Sequence, residues 1–331
     1  MSDRLDRRRF LQKSVTASAG VSLALSLEEQ ALLAATKRDE TQTRSPSAQG
    51  LPTGKIGKVE MGRLICGGNL IAGVAHSRDL MYVSPLLKNY FTDEKIMETW
   101  ELCEECGINT AVFSSQDAAN KGVRVLHKYW NERGGEIQWI AQVHPRSNDL
   151  TTDIQQAVDG GAVGAYVLGG TGDAWVKHNR LDLLGKAVDF IKQNGLIAGV
   201  GGHSVQVPMA VEKVGIDPDF YFKTLHSWNY WSAQADQLPT EVEVAGPDNH
   251  DNIWSLDPKG TVEFMEKVDK PWIAYKVLAA GALHPSEGFD YAFRGGADFV
   301  VAGMFDFQIR EDAVIAAKVL SNLDRPRPWQ A

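Results

Sequence analysis

Short apolar segments alternate along the chain with longer segments that have the apolar spacing of amphipathic helices. The apolar segments are rich in Val, Ile, Phe and Tyr, which is typical of strands buried on both faces. Strands are predicted at residues 63–68, 110–114, 137–144, 164–168, 196–201, 219–225, 272–278 and 299–303. Helices are predicted after them at residues 92–106, 122–133, 151–160, 181–194, 207–214, 260–268, 286–294 and 310–323.

This order of elements predicts the fold class. Glycine follows several predicted helices, for example Gly107 and Gly195, as expected where a helix ends. Eight successive strand–helix units predict an α/β protein with a closed (β/α)8 barrel, or TIM barrel, rather than an open doubly wound sheet. The chain of 331 residues is 44% hydrophobic and 23% charged, an ordinary globular composition, and we expect one barrel domain at residues 55–325.

The N-terminal segment has the features of an export signal. The run Arg7-Arg8-Arg9-Phe10-Leu11 resembles the twin-arginine motif, and mildly apolar and small residues follow it up to residue 35. We expect a signal peptide at residues 1–36, a polar linker at 37–54, and export by the twin-arginine machinery to the periplasm or the outside. The alternatives are an uncleaved anchor, since the cleavage site is poorly defined, and a basic amphipathic helix with no targeting role.

Charge and cysteine content narrow the classes of function. The net charge is −8 and no basic run follows the leader, which argues against a nucleic-acid partner and favours a small-molecule substrate. The three cysteines, Cys66, Cys103 and Cys106, are too few and odd in number for a disulfide framework. Cys103 and Cys106 fall on a predicted helix, which favours ordinary helix positions over zinc ligands.

Three histidines follow the third, fifth and sixth predicted strands: His144, His203 and His226. In a (β/α)8 barrel the C-terminal ends of all strands open onto one face, which carries the active site. Three imidazoles there could hold a divalent metal ion and leave one position open for water or substrate. Asn69 and Asp306, at two further strand ends, are candidates for an oxygen ligand or a base. The alternative for each histidine is a hydrogen-bonded structural role.

A lysine inside an apolar strand is a second sign of chemistry. Lys276 lies in the seventh predicted strand, where burial would lower its pKa toward neutrality and suit it to proton transfer or a Schiff base. An ion pair with a carboxylate across the barrel is an equally good interpretation. Lys223 on the sixth predicted strand poses the same question.

A long loop, residues 227–254, follows the sixth strand and shows little periodicity, which is typical of functional loops. Its aromatic and amide side chains suit the faces and edges of a sugar ring. The predicted substrate contacts are Trp228, Asn229, Tyr230, Trp231 and Trp254 of this loop, with Asn69 and Gln142 at strand ends. The alternative is a loop that packs its aromatics against the barrel or another subunit.

Several segments resemble the aldo/keto reductase superfamily, and together they span about residues 55 to 320. They are residues 54–59 (the opening hairpin), 106–110 (the entry to strand two), 194–204 (strand five), 302–303 (strand eight) and 308–312 (the helix that binds the adenosine end of the cofactor). The resemblance implies an aldo/keto reductase-like (β/α)8 barrel and, as an alternative to a metal ion, the cofactor NAD(P).

The catalytic residues of that superfamily are not matched. The reductase tetrad consists of an Asp and a Tyr after strand two, a Lys on strand three and a His on strand four. Strand two here ends in residues 112–115 (VFSS), strand three carries Gln142, and strand four ends in residues 168–170 (LGG). Asp306 also supplies an acid where the 2′-phosphate of NADP needs a base. The resemblance therefore implies the fold rather than the activity.

The favoured hypothesis is an exported enzyme that acts on a carbohydrate or keto-sugar by metal-assisted proton transfer, as a lyase, isomerase or epimerase. The divalent ion, bound by His144, His203 and His226, would polarise an oxygen atom of the substrate. Lys276, His226 or the carboxylate of Asp306 would move the proton.

Two alternatives remain open. The first is an NAD(P)-linked oxidoreductase with a different proton donor, such as His226 or Tyr230, which the resemblance at strand eight supports. The second is a catalytically inactive barrel that binds a sugar through the aromatic loop.

Overall fold

Eight parallel strands form a closed barrel, which confirms the (β/α)8 prediction. The computed structural model describes residues 50–74, 81–116, 121–233 and 254–323. The predicted signal peptide and residues 37–49 of the predicted linker lie outside these residues and stay predictions, whereas the last two linker positions, residues 53–54, already belong to a strand. None of the described helices is long and apolar enough to cross a membrane.

The strands follow the expected order around the barrel. A hairpin of β1 (Thr53–Ile56) and β2 (Val59–Gly62) precedes β3 (Leu64–Gly67), β4 (Thr110–Ser114), β5 (Gln138–Val143), β6 (Gly164–Val167), β7 (Ile197–Gly202), β8 (Phe220–Thr224), β9 (Trp272–Tyr275) and β10 (Phe299–Ala302). Each barrel strand from β3 onward pairs in parallel with the next, and β10 closes the barrel by pairing with β3, for example Val300 beside Leu64.

Helices surround the barrel on its outer side. They are α1 (Val83–Tyr90), α2 (Asp93–Glu105), α3 (Lys121–Lys128), α4 (Thr152–Asp159), α5 (Gly169–Lys177), α6 (Leu181–Gln193), α7 (Gln206–Val214), α8 (Pro258–Met265), α9 (Pro285–Arg294) and α10 (Asp306–Ser321). A π-helical turn, Tyr129–Arg133, extends α3, and a short 3-10 turn, Ala279–Gly281, follows β9.

The apolar core has two layers, as strand alternation requires. On β8, Phe220 and Phe222 belong to the cluster inside the barrel, whereas Tyr221 packs outward into the cluster beneath the helices. Ile56 and Met61 of the hairpin join the inner cluster. The hairpin therefore fills one end of the barrel, and the opposite end, where the strands finish, is left for the functional site.

The sequence pattern missed two helices, α1 and α5. Helix α5 begins Gly169-Gly170 and contains Gly172, so its helix propensity is low. These glycines allow close packing: a Cβ atom on Gly172 would lie 2.1 Å from the carbonyl oxygen of Gly201 on β7. Tertiary contact with β7 therefore outweighs propensity and brings α5 against the end of that strand.

Gly172→Ala is expected to destabilise the protein by about 2 kcal/mol or more, because the new methyl group collides with backbone. The matched control is Gly185→Ala on α6, where the added Cβ meets only Ile216 at 3.5 Å. That control should gain about 0.5–1 kcal/mol from the lower entropy of the unfolded chain. Urea denaturation of both variants measures the difference, and equal stability of the two would contradict the packing argument.

Candidate functional site

A carboxylate–imidazole pair lies at the C-terminal end of β7. His203 directly follows β7, and its Nδ1 atom is 2.7 Å from Oδ2 of Asp173 on α5. The backbone N–H of His203 donates to both carboxylate oxygens at 3.1 Å, and the N–H of Ser204 donates to Oδ1 at 3.0 Å. The backbone N–H groups of His203 and Ser204 thus hold the Asp173 carboxylate in place, and the carboxylate in turn fixes the orientation of the imidazole ring.

The second nitrogen of His203 is available for chemistry. Nδ1–H donates to Asp173, which leaves Nε2 with its lone pair, and no residue in the described part of the chain hydrogen-bonds to it. Burial lowers the pKa of His203 below its ordinary value, and the charges of Lys276 and Lys223 act the same way, although Asp173 opposes them. A neutral, oriented imidazole of this kind is suited to general acid–base catalysis.

Aromatic rings flank His203 on the mouth of the barrel. The ring centroids of Trp254 and Tyr275 lie 4.9 Å and 5.5 Å from that of His203. The Lys276 ammonium lies 3.5 Å from the centroid of Trp254, a close cation–π contact. Lys276 and Trp254, both predicted site residues, therefore meet beside His203.

The backbone after β9 is strained where Lys276 lies. Lys276 has φ +57°, and Ala279 and Ala280 have φ +46° and +56°. Each of these residues pays roughly 1–2 kcal/mol for the left-handed conformation. This turn ends the strand at Tyr275, earlier than the sequence predicts, and sets the position of Lys276.

His226 is a structural residue, so its predicted role as metal ligand and catalytic group is wrong. Its Nδ1–H donates to the carbonyl of Ser227 at 2.9 Å, and its Nε2 accepts the backbone N–H groups of Trp254 and Ser255, each at 3.0 Å. Burial lowers its pKa to about 4, so the ring stays neutral. Both nitrogens hold the returning end of the long loop, and through it Trp254.

A three-histidine metal site is not formed. No group of three or more His, Cys, Asp or Glu side chains in residues 50–74, 81–116, 121–233 and 254–323 is arranged to hold a metal ion. His226 has no nitrogen available for a metal ion, because Nδ1 donates to the carbonyl of Ser227 and Nε2 accepts from the backbone of Trp254 and Ser255. The expected common ligation of one ion by His144, His203 and His226 is therefore corrected.

His144 belongs to a second polar cluster, on β4, β5 and β6. Its Nε2 lies 3.1 Å from Nε2 of Gln142 and 3.2 Å from Oγ of Ser114. The hydroxyl of Tyr166 donates to Oε1 of Gln142 at 2.8 Å. Strand alternation correctly placed Gln142 and His144 on one side of β5. The carboxylate of Asp153 accepts the backbone N–H of His144 and so fixes the end of the strand.

Lys223 has a structural position behind His203. Its ammonium donates to the carbonyl oxygens of His203 and Thr224 at 2.7 Å and 2.9 Å, and to Oγ1 of Thr224 at 3.1 Å. Burial lowers its pKa to about 7. All three N–H bonds of the ammonium are used, so Lys223 ties the ends of β7 and β8 together.

Asp306 does not join this group. It begins α10, where its carboxylate accepts hydrogen bonds from Tyr90 of α1 and from Lys95 of α2, the latter at 3.1 Å. These contacts link the outer helices. The predicted roles of Asp306 as catalytic base and metal ligand have no support in its contacts.

The other predicted substrate contacts are scattered. Asn69 and Asn229 are exposed, and Trp231 is 95% exposed. Trp228 donates from Nε1 to the carbonyl of Ser255 at 2.8 Å, and Tyr230 lies with its ring centroid 6.0 Å from that of His226. Residues 234–253 of this loop lie outside the described part of the chain.

The sequence pattern did not identify Asp173, the carboxylate that orients the His203 ring. The signal was present: an acid follows the run Gly169-Gly170-Thr171-Gly172 directly after the fourth barrel strand. No helix is predicted over this glycine-rich run, and only the packing of α5 on β7 shows that Asp173 reaches His203.

Comparison with known proteins shows the type of barrel. No protein-family model matches the chain, and no curated protein matches its sequence. A Pseudomonas aeruginosa protein assigned to the aldo-keto reductases superposes with a TM-score of 0.55 at 14% identity, over 82% of this chain and 96% of that chain. An aldo-keto reductase from Bacillus halodurans, solved in its holo form, gives a TM-score of 0.52 at 11% identity, over 85% and 94%. The fold is therefore an aldo-keto reductase-like barrel.

These similarities correct the favoured hypothesis from the sequence. The similar solved structures are aldo-keto reductases, which are oxidoreductases, whereas the sequence led us to expect a metal-assisted lyase, isomerase or epimerase acting on a sugar. That expectation is corrected, because none of these three similar structures is a lyase, isomerase or epimerase, and the nicotinamide-linked alternative stays open. Its two suggested proton donors still need correction, because His226 is fully hydrogen-bonded and burial raises the pKa of Tyr230 to about 12.

The structural role of His226 predicts a dependence of stability on pH. Because the pKa of His226 is lowered to about 4 in the folded protein, the unfolded chain binds the extra proton between pH 6.5 and pH 4. The stability it contributes is complete above pH 6.5 and falls by roughly 3 kcal/mol as the pH drops through this window.

Urea denaturation of the wild type and of His226→Gln at a series of pH values tests this. The variant should be less stable at pH 7, because two backbone N–H groups lose their acceptor, and the gap should narrow toward pH 4. Exposed His178 provides the control, since His178→Gln should follow the wild type at every pH. A constant gap between wild type and His226→Gln would contradict the assignment.

Proposed function

We propose that this protein is a nicotinamide dinucleotide-linked oxidoreductase of small carbonyl or alcohol compounds, in which the Asp173–His203 pair exchanges the proton. The single observation that carries the proposal is the oriented imidazole. Nδ1 is held 2.7 Å from Asp173, and Nε2 has no hydrogen-bond partner among residues that the structure describes. The barrel type supports the same class of reaction.

Reduction of a carbonyl group needs a proton at the oxygen as well as a hydride at the carbon, and oxidation of the alcohol needs the reverse. A bound dinucleotide supplies or accepts the hydride. In reduction, the protonated Nε2 of His203 donates to the developing alkoxide; in oxidation, the neutral Nε2 accepts the hydroxyl proton. Asp173 keeps the proton on Nδ1 and stabilises the imidazolium in both directions.

This donor lies at a different place from the tetrad that the sequence resemblance implies. The tetrad belongs to barrel strands two, three and four, whose ends here carry Ser114, Gln142 and Leu168. His203 follows the fifth barrel strand, and its acidic partner comes from the helix after the fourth. The proposal therefore keeps the reaction class of the barrel and changes the residue that handles the proton.

The residues present fit NAD better than NADP. The sequence resemblance assigns the adenosine end of the cofactor to α10, whose first turn contains Asp306 and no Lys or Arg. The Asp306 carboxylate is held there by Tyr90 and Lys95 and can accept a hydrogen bond from the ribose 2′-hydroxyl of NAD, whereas no Lys or Arg of this first turn is present to bind a 2′-phosphate. Arg310, one turn further on, is paired with Glu105 at 2.6 Å.

Trp254 and Lys276 form one wall beside the proposed donor. Trp254 contacts His203 and is contacted in turn by the Lys276 ammonium. The ring excludes water from one side of the imidazole, which strengthens the electrostatic interaction with Asp173. The nearby positive charge, after burial, helps to lower the pKa of His203, so that the neutral form predominates at pH 7.

Export remains part of the proposal and rests on the twin-arginine resemblance of residues 7–11 alone. Replacing Arg7 and Arg8 by lysine should keep the full chain in the cytoplasm, because the pathway recognises the arginine pair. Cell fractionation followed by immunoblotting measures this. Unchanged export of the double variant would refute this part of the proposal.

Dinucleotide binding is the first test of the reaction class. Titration of the purified full chain with NADH and NADPH, followed by tryptophan fluorescence, should show saturable binding with the lower Kd for NADH. Turnover is then measured with NADH and a panel of aldehydes, ketones and 2-oxo acids. Absence of binding to both dinucleotides, together with absence of turnover, would overturn the proposed function.

The role of the Asp173–His203 pair is tested with His203→Gln and Asp173→Asn. Loss of the proton donor should lower kcat by about 10²–10⁴-fold in His203→Gln while the Kd for NADH stays near the wild-type value. Asp173→Asn should also lower kcat, because the amide no longer fixes the Nδ1–H tautomer. His178→Gln is the control. A kcat of His203→Gln within twofold of the wild-type value would refute the assignment of His203 as the proton donor.

A further inference from the structure

A second imidazole at the mouth is held as firmly as His203 and has no role in the reaction outlined above. His144 follows β5, the third barrel strand, and is partly exposed. Three side chains from three adjacent strands converge on its Nε2 side: Ser114 and Gln142 contact Nε2 directly, and Tyr166 contacts Gln142. Such a chain of polar groups in a barrel interior needs an explanation beyond packing, because buried polar groups contribute little to stability by themselves.

The hydrogen bonds of Tyr166 and Gln142 fix which nitrogen of His144 carries the proton. The hydroxyl of Tyr166 is enclosed, so it must donate, and its acceptor is Oε1 of Gln142 at 2.8 Å. The amide NH2 of Gln142 then faces His144 and donates to Nε2 at 3.1 Å. An Nε2 atom that accepts a hydrogen bond carries no proton, so the neutral ring must be the Nδ1–H tautomer.

Ser114 agrees with this assignment. Its Oγ accepts the backbone N–H of Gln116 at 3.1 Å, and its hydroxyl proton is free to point to Nε2 of His144 at 3.2 Å. Nε2 thus receives two donors. Burial lowers the pKa of His144, with Asp153 acting against it and Arg146 with it, so the ring stays neutral near pH 7.

The proton-bearing nitrogen, Nδ1, lies on the side of the ring away from Ser114 and Gln142. No residue of the described segments accepts a hydrogen bond from Nδ1 of His144, and the atom is not enclosed. A neutral imidazole N–H is a good donor to a carbonyl oxygen, and it does not protonate that oxygen, because loss of the Nδ1 proton would leave an imidazolate.

We propose that His144, held as the Nδ1–H tautomer by Gln142 and Tyr166, binds and polarises the carbonyl oxygen of the substrate. The inference rests on the proposed function and adds a substrate-binding residue to it. His203 follows β7, which lies two strands further around the barrel, roughly 10 Å from β5 along the sheet. The two histidines then divide the work: His144 orients the oxygen through a permanent N–H donor, and His203 exchanges the proton.

Gln142→Glu is the most direct test, because it is isosteric and reverses the hydrogen bond. At a pH high enough to keep the ring neutral, a carboxylate at position 142 accepts from Nε2–H of His144, so Nδ1 carries no proton and becomes an acceptor. In ¹⁵N-histidine-labelled protein, the NMR shifts of His144 should show the Nδ1–H tautomer in the wild type and the Nε2–H tautomer in Gln142→Glu. A wild-type ring already in the Nε2–H form would overturn the inference without any kinetic measurement.

Kinetics with the best carbonyl compound of the panel then measure the consequence. Gln142→Glu and His144→Gln should each lose about 100-fold in kcat/KM, the typical effect of removing one donor to a developing oxyanion. His144→Asn, whose amide nitrogen takes the place of Nδ1, should stay within about tenfold of the wild type. Gln193→Glu makes the same charge change at the exposed end of α6, near the opposite end of the barrel, and should have no effect.

The outcomes separate this inference from the proposed function. Active wild-type protein, with unchanged kcat/KM in Gln142→Glu despite an inverted tautomer, would disprove the role of His144 and leave the oxidoreductase standing. Equal losses in His144→Asn and His144→Gln, with a matching loss of thermal stability, would also disprove it, because a structural role predicts that result. No turnover of any carbonyl compound by the wild type would end both proposals.

Discussion

The carboxylate of Asp173 is the group on which the arrangement of the barrel mouth depends. It accepts hydrogen bonds from the side chain and backbone of His203 and from the backbone of Ser204, so one acid fixes both the end of β7 and the direction of the imidazole. It reaches that position because α5 packs closely on β7 through Gly172. The placement of a reactive nitrogen thus follows from a glycine that no hydrophobic pattern reveals.

Other polar residues support this pair rather than act on a substrate. Lys223 ties the carbonyl of His203 to the end of β8, and His226 holds the backbone of Trp254, whose ring lies against His203. Two residues that looked reactive in the sequence are therefore saturated with hydrogen bonds. Among the residues that the structure describes, Nε2 of His203 and Nδ1 of His144 are left without a hydrogen-bond partner, and each ring is held through its other nitrogen.

The fold could be predicted from the sequence because strand and helix periodicity repeats eight times, and every predicted barrel strand overlaps an observed one. The site could be predicted only in part. Strand ends identified His144 and His203, and alternation placed Gln142 beside His144. The prediction that His226 binds a metal ion together with His144 and His203 failed. The direction of a side chain after a strand depends on the loop that returns over it, and here the backbone of Trp254 and Ser255 in that loop binds the His226 ring.

The predicted function failed for a related reason. In a sequence, three histidines at the same end of the barrel are compatible with a metal site and with a proton relay. Only the hydrogen-bond partners of their ring nitrogens in the structure separate the two interpretations. The Asp173 carboxylate accepts from Nδ1–H of His203 and would orient that ring for either role. A metal site needs three ligands aimed at one point, and His226 uses both of its nitrogens in hydrogen bonds instead. Lys276 illustrates the same limit: the sequence predicts it inside a strand, but the strand ends at Tyr275, Lys276 is only half-buried, and its contact with Trp254 depends on the left-handed turn after β9.

The pH dependence of kcat/KM for NADH-linked carbonyl reduction tests the central claim most directly. The account predicts that the rate falls with unit slope as the pH rises through a pKa below 6.5, the lowered pKa of His203, and that this step is absent from His203→Gln. A step of the same pKa that persists in His203→Gln would contradict the account and assign the proton transfer to another residue.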